Sequence, residues 1–190
     1  MRWFVDHSFT IVWLAFLLYW QLMAVNVKVT QRLEPVASRV LRVVLFLVAI
    51  TLLSWASIPG PWLHIRIAPD GWWRFYVGLG VTIAGLLFAV WARVHLGRNW
   101  SRSVTVKQDH ELITSGPYGL VRHPIYTGIL TGFLGTALAV DEVRGVLALV
   151  IIAVALWIKL RLEEEWMQSQ FGETYAAYSS RVAALVPFVL

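Results

Sequence analysis

Two stretches of this 190-residue chain hold residue types at spacings that can do chemistry. The first runs from His110 to Gly128. Within it, Ser115, Gly116, Pro117 and Tyr118 have turn composition, because glycine permits positive φ and proline fixes its own. His123 and Pro124 follow, directly before an apolar run. Proline favours the first position of a helix, where its missing N–H would be unpaired anyway. A helix is therefore predicted to start here. Its free N–H groups and dipole attract anions, and the carboxylate of an amino-acid-like cofactor suits such an end. Taken singly, Tyr118, Arg122, His123 and Tyr126 also read as ordinary headgroup and aromatic-belt residues beside a membrane.

The second stretch holds Lys159, Arg161, Glu163, Glu164, Glu165, Trp166 and Met167, then Phe171, Gly172, Tyr175 and Tyr178. Residues four apart share a helix face, so Lys159 is expected to pair with Glu163 and Arg161 with Glu165. Three consecutive acids at the end of an apolar run are costly unless paired or functional. For Glu164 and Glu165 the expectation is a solvated face. The chain has no cysteine, which excludes disulfides, thiolate catalysis and cysteine metal sites. No metal-ligand spacing is present, since His64, His95, His110 and His123 fall on different segments. No glycine-rich loop follows a strand, so a Rossmann-type site is not expected.

These residues need elements to position them, and the elements are apolar. Hydrophobic residues make up 58% of the chain, against about 45–50% in soluble domains. The excess sits in blocks at residues 8–27, 40–58, 72–94, 125–140 and 143–158. The first is too long for a signal peptide and reads as a retained helix. The second stops at Pro59, Gly60 and Pro61. The last two are separated only by Asp141 and Glu142, so they are predicted to form a hairpin, each slightly shorter than the roughly 20 residues of a full span. From Lys159 to Arg181 the chain reads as an amphipathic or partly soluble helical tail, with Pro187 ending it. The fold class is an all-α integral membrane protein with about five transmembrane helices, a cytoplasmic cofactor-binding loop and a C-terminal helical tail. Residues 1–94 are read as three N-terminal membrane helices and residues 95–190 as the catalytic region.

With the N-terminus outside, only Arg2, Arg66, Arg74 and Arg144 lie on the outer side. The other 12 of the 16 Lys and Arg, being 16 less those 4, lie inside. That split supports five spans with the C-terminus and active site cytoplasmic. The net charge of +5 falls at the ends of apolar blocks, so lipid headgroups and not nucleic acid are the expected partner.

Gly116, Pro117, Tyr118, Arg122, His123, Pro124, Tyr126 and Gly128, followed by Glu163, Glu164, Met167, Phe171, Gly172, Tyr175 and Tyr178, form a paired motif. It resembles the isoprenylcysteine carboxyl methyltransferase family, which is related to the membrane phospholipid methyltransferases. The resemblance covers roughly residues 90–190. It implies S-adenosylmethionine as cofactor and S-adenosylhomocysteine as product. The cofactor-binding residues it implies are His110, Glu111, Leu112, Ile113, Tyr118, Arg122, His123, Pro124, Ile125, Tyr126 and Glu163. An arginine four residues before the glutamate contacts substrate in that family's eukaryotic enzymes. Here Lys159 takes that place, with Arg161 two residues on, and both are candidates for binding substrate. The implied reaction methylates the carboxylate of a lipophilic, isoprenylcysteine-like acid drawn from the bilayer. A lipid amine or small thiol as acceptor, or a non-catalytic membrane protein, are the alternatives.

Overall fold

The computed structural model describes residues 2–23, 35–68, 71–97 and 112–187, with side chains from residue 7 onward. Helix α1 spans Arg2–Leu22, α2 Val36–Ser54, α3 Trp73–Leu96, α4 Pro124–Val140, α5 Val143–Phe171 and α6 Glu173–Ser179. Short 3₁₀ turns occupy Pro61–His64 and Gly116–Gly119. Among the described residues there is no strand, only an isolated bridge between Arg66 and Glu142. Each apolar block of the sequence has become a helix, although residues 24–27 of the first block lie outside the described residues.

Helices α2, α3 and α5 are long and apolar enough to cross a membrane, while α4 and the apolar part of α1 are shorter. Many large apolar side chains face outward, among them Leu14, Leu18, Leu47, Leu87 and Val150. Water would penalise so extensive an apolar surface and lipid does not. The protein is an integral membrane protein.

Between lipid-bathed helices the hydrophobic effect is weak, so close backbone packing carries the association. Helices α3 and α4 achieve it with glycine pairs. A Cβ added to Gly85 would lie 2.6 Å from the Gly128 carbonyl oxygen, and one added to Gly128 would lie 2.5 Å from that of Gly85. Seven residues along each helix, Gly78 and Gly135 repeat the contact. Between the pairs, the Thr82 hydroxyl donates to the carbonyl of Gly78, and Trp13 Nε1 of α1 donates to Thr136 Oγ at 3.1 Å. Gly128→Leu is expected to cost about 3 kcal/mol or more, because neither backbone can yield. Thermal unfolding in detergent checks this, with Gly80→Leu, which meets open space, as the unaffected control.

The hairpin forms as expected. Asp141 reverses the chain in the left-handed region at φ 53°, and α5 begins two residues later. The turn is clasped by charge. Asp141 pairs with Arg74, Glu142 accepts from Arg144 Nε at 2.6 Å, and His64 Nδ1 lies 2.9 Å from Glu142. Arg144 also donates to the carbonyls of Leu52 and Leu53 at the end of α2. Burial at this clasp is offset by good geometry on every charge.

The predicted tail differs in shape. No break separates the fifth block from it. Helix α5 continues through Lys159 and the three glutamates to Phe171, where Gly172 at φ 50° ends it. The charged residues read as a membrane border do not end the helix: Lys159 and Glu163 pair along it, and Glu164 pairs with Arg122 and His123 just before α4.

Candidate functional site

Helix α4 starts at Pro124 with His123 as its N-cap, and the 3₁₀ turn before it opens on Gly116 at φ 59°. A side chain at Gly116 would strike the His95 ring, so glycine fits both the conformation and the space. This start faces the charged stretch of α5. His123 Nδ1 lies 3.5 Å from Glu163 and its Nε2 lies 2.7 Å from Glu164. Arg122 grips Glu164 with a planar fork, Nε to Oε1 at 2.9 Å and the second nitrogen to Oε2 at 3.2 Å. Burial disfavours charge on His123, but the two glutamates outweigh it and raise its pKa above the ordinary value.

Glu164 was expected on a solvated face and is not. It is the centre of a three-residue ionic cluster, because α5 runs on straight and turns this residue toward the start of α4. The expected Lys159–Glu163 pair forms at 3.8 Å. The expected Arg161–Glu165 pair does not form among the described residues, and both side chains are exposed.

After α6 the chain folds back as a strap. Arg122 N–H donates to the Ala183 carbonyl at 2.8 Å, His123 N–H to that of Ala184 at 3.0 Å, and Thr127 Oγ to that of Leu185 at 2.7 Å. The Arg122 guanidinium donates to the Ser179 and Val182 carbonyls. Tyr178 donates its hydroxyl to the Tyr118 carbonyl at 2.6 Å, and burial pushes its pKa up to about 12. Burial likewise raises Tyr118 and Tyr175. These phenols stay neutral donors and no general base is found among them.

Beside the cluster lies one cavity of about 970 Å³, at the upper end of typical ligand pockets. Its polar end is lined by Tyr118, His123, Tyr126, Lys159, Glu163 and Tyr175. Lys159 Nζ sits 5.1 Å from the Tyr126 ring centre. The His123 and Tyr126 rings stack at 5.4 Å. Its other end is apolar and aromatic, with Phe9, Trp13, Phe46, Ile50 and Phe133. Trp13 and Phe133 approach to 4.9 Å there. A carboxylate ringed by π-faces suits a flat organic cation, and the apolar end suits a lipid tail.

Of the residues singled out in the sequence, Leu112, Ile113, Tyr118, Arg122, His123, Pro124, Ile125, Tyr126, Lys159 and Glu163 all line this cavity, whereas Arg161 does not. His110 and Glu111 lie outside the described residues. Sequence reasoning missed Arg42 and the walls given by α1 and α2. Trp166 and Met167, also in the wall, follow Lys159 and Glu163 on one helical stripe, a period that could have found them.

A model of the phospholipid methyltransferase family matches residues 73–174. The chain belongs to that family. The match takes in α3, which the motifs alone did not reach, and both ionic stretches. An Arabidopsis thaliana relative of this phospholipid methyltransferase family protein, protein-S-isoprenylcysteine O-methyltransferase B, is 31% identical over 124 residues, covering 62% of this chain and 61% of its own. The cobalt-zinc-cadmium resistance protein CzcN of Cupriavidus metallidurans is 34% identical over 121 residues, covering 62% of this chain and 53% of its own. A solved structure of the eukaryotic intramembrane Ras methyltransferase, isoprenylcysteine carboxyl methyltransferase, aligns with a TM-score of 0.56 at 25% identity, covering 81% of this chain and 52% of the other. The chain thus spans less than two thirds of these relatives. The family resemblance carried by the two motifs is borne out.

Proposed function

We propose that the protein methylates the carboxylate of a lipophilic, isoprenylcysteine-like acid, with S-adenosylmethionine as donor. The observation that carries this is the continuity of one cavity from an ionic, aromatic end to an apolar end within the membrane helices. The polar end fits such a donor by its chemistry. Glu163 offers a carboxylate to an ammonium, and Tyr118 and Tyr126 offer rings to an adenine or a sulfonium. When bound, the donor supplies an electrophilic methyl on a positively charged sulfur. Glu163 and His123 orient it, the strap at residues 182–185 excludes water, and the apolar end aligns the acceptor.

A carboxylate is the favoured acceptor because it is already ionised at neutral pH and needs no base. An amine or thiol must lose a proton first, and the imidazole in the cavity wall is engaged by two glutamates. Names of relatives point the same way. The test is incubation with radiolabelled S-adenosylmethionine and prenylcysteine analogues. A base-labile methyl ester is expected. A base-stable product shifts the reading to a lipid amine or thiol, and no transfer to any acceptor ends it.

The catalytic chemistry is assigned to residues 95–190, with Lys159 rather than Arg161 toward substrate. Lys159 lines the cavity and Arg161 is exposed, about 200° around a regular helix from it. Lys159→Ala is expected to raise KM roughly 10- to 100-fold, the worth of a charge-assisted hydrogen bond, with cofactor affinity changed far less. Arg161→Ala is expected to be near silent, and the reverse pattern overturns the assignment. The five helices α1 to α5 are read as five spans with the N-terminus outside and the active site cytoplasmic. Reporter fusions at both ends check this, and a cytoplasmic N-terminus rejects it.

A further inference from the structure

The cavity has a depth that the helices measure. On α4 its wall includes Tyr126, Phe133 and Val140, spaced by seven and so near one face. At 1.5 Å per residue, Phe133 lies about 10 Å beyond Tyr126 and Val140 about 21 Å beyond it. Helix α2 gives the same length independently, since its wall residues run from Arg39 to Ser54, about 22 Å. Halfway along, three helices each contribute a ring. Phe133 of α4 lies 4.9 Å from Trp13 of α1 and 6.3 Å from Phe46 of α2. Trp13 is fixed there, because its Nε1 donates to Thr136 at 3.1 Å and a Cβ on Gly132 would lie 3.3 Å from its indole edge. Residues on both sides of this collar line one cavity, so a passage runs beside the rings. At the far end, Phe9 of α1 meets Phe75 of α3 edge to face at 5.7 Å, and both line the cavity with Val140. The glycine pairs set α3 antiparallel to α4, which brings Phe75 near the level of Val140, the last residue of α4. The aromatic pair is the floor.

We propose that this cavity gauges the substrate's tail: it takes a chain of four isoprene units, two up to the collar and two in the chamber beyond it. This rests on the reading of the substrate as a lipophilic acid held at the polar end. Single bonds of about 1.5 Å at about 111° advance an extended chain about 1.25 Å each, so an isoprene unit, four bonds long, spans about 5 Å. Two units therefore reach the collar at about 10 Å, and four reach the floor at about 20 Å. A tail gains little merely by leaving lipid, so packing decides the preference. A two-unit tail leaves the far chamber without its contacts, and a five-unit tail meets the Phe9–Phe75 pair. Val140 and Phe9 are specificity-determining residues, and the collar holds the tail at its middle.

The experiment uses the purified, detergent-solubilised full chain and N-acetylcysteine thioethers with geranyl, geranylgeranyl or geranylfarnesyl tails, of two, four and five units. Affinity is read from the ligand dependence of thermal stabilisation. Each ligand partitions into detergent equally for every variant, so a change of ratio between variants belongs to the protein. Val140→Phe shortens the chamber and is expected to lower the four-to-two-unit affinity ratio roughly tenfold, with geranyl affinity within about twofold of the parent. Val150→Phe adds the same ring at an outward-facing position outside the cavity wall and is expected to keep the parent ratio. An unchanged ratio in Val140→Phe, including equal losses for both tails, overturns the proposal. Should that variant fail to fold, Phe9→Ala decides in its place, since it removes the floor. A five-to-four-unit ratio several-fold above the parent's supports the proposal, and an unchanged ratio overturns it. If the parent methylates the acids and these ratios do not move, this inference fails and the proposed function stands. If the parent transfers no methyl yet the ratios move as expected, the proposed reaction fails and the tail gauge stands.

Discussion

Replacing Glu163 with alanine is expected to weaken binding of S-adenosylhomocysteine by roughly 30- to 1,000-fold, while Glu165→Ala changes it little. Glu163 lies in the cavity wall between Lys159 on its own helix and His123 and Tyr126 on α4. Removing one partner of a largely desolvated charge pair costs about 2–4 kcal/mol, much of it from the charges left behind. Each 1.4 kcal/mol is about tenfold in affinity. Glu165 sits about 200° around the helix from Glu163, exposed and without an ion pair among the described residues. Calorimetric titration measures both variants. Equal losses would show that the charge of this stretch matters and the face does not.

Arg122→Ala is expected to cost stability rather than cofactor affinity alone, by about 2–3 kcal/mol. Its guanidinium joins Glu164 to the carbonyls of Ser179 and Val182, so one truncation unlinks α5 from the strap. Full burial would make the loss larger, and the residual exposure of this cluster moderates it. For a chain of this size that is a fall in Tm of about 4–12 °C. Arg161→Ala, on the exposed face, is expected to stay within about 0.5 kcal/mol of the parent. A shift of Arg122→Ala no larger than that of Arg161→Ala would refute the structural role.

The same cluster sets a pH dependence. His123 has a folded pKa raised above its ordinary value of about 6.5 by Glu163 and Glu164. The unfolded chain therefore loses this proton before the folded chain does. The contribution to stability is complete below about pH 6.5 and fades as pH rises through the folded value. His123→Asn is expected to flatten that slope.

Local chemistry made part of this site legible in the sequence. Pro124 announced the start of α4, and Gly116 with Pro117 announced the turn before it, because both signals act through their own backbone. The Lys159–Glu163 pair followed from a spacing of four. Glu164 was opaque for the opposite reason. Its partners, Arg122 and His123, lie about forty residues away, and nothing adjacent to it distinguishes it from Glu165. The unbroken α5 was hidden by the same cause, since charges look like a membrane border until their distant partners are known. Arg42 lay in an apolar block read only as a span. Burial of one face of α2 is a tertiary property, and composition cannot express it.

The strap has a consequence for how the protein is made. In chain order, Val182 to Leu185 follow every ionic residue of the pocket, yet they supply the carbonyls that fasten Arg122, His123 and Thr127. The ribosome delivers the pocket's charges first and its fastening last. While translation is still short of Val182, Arg122 lacks that carbonyl and the main-chain donors of residues 122 and 123 face water. A nascent chain can therefore insert its helices before it can enclose a ligand, and ligand-dependent stabilisation begins only once the strap has emerged.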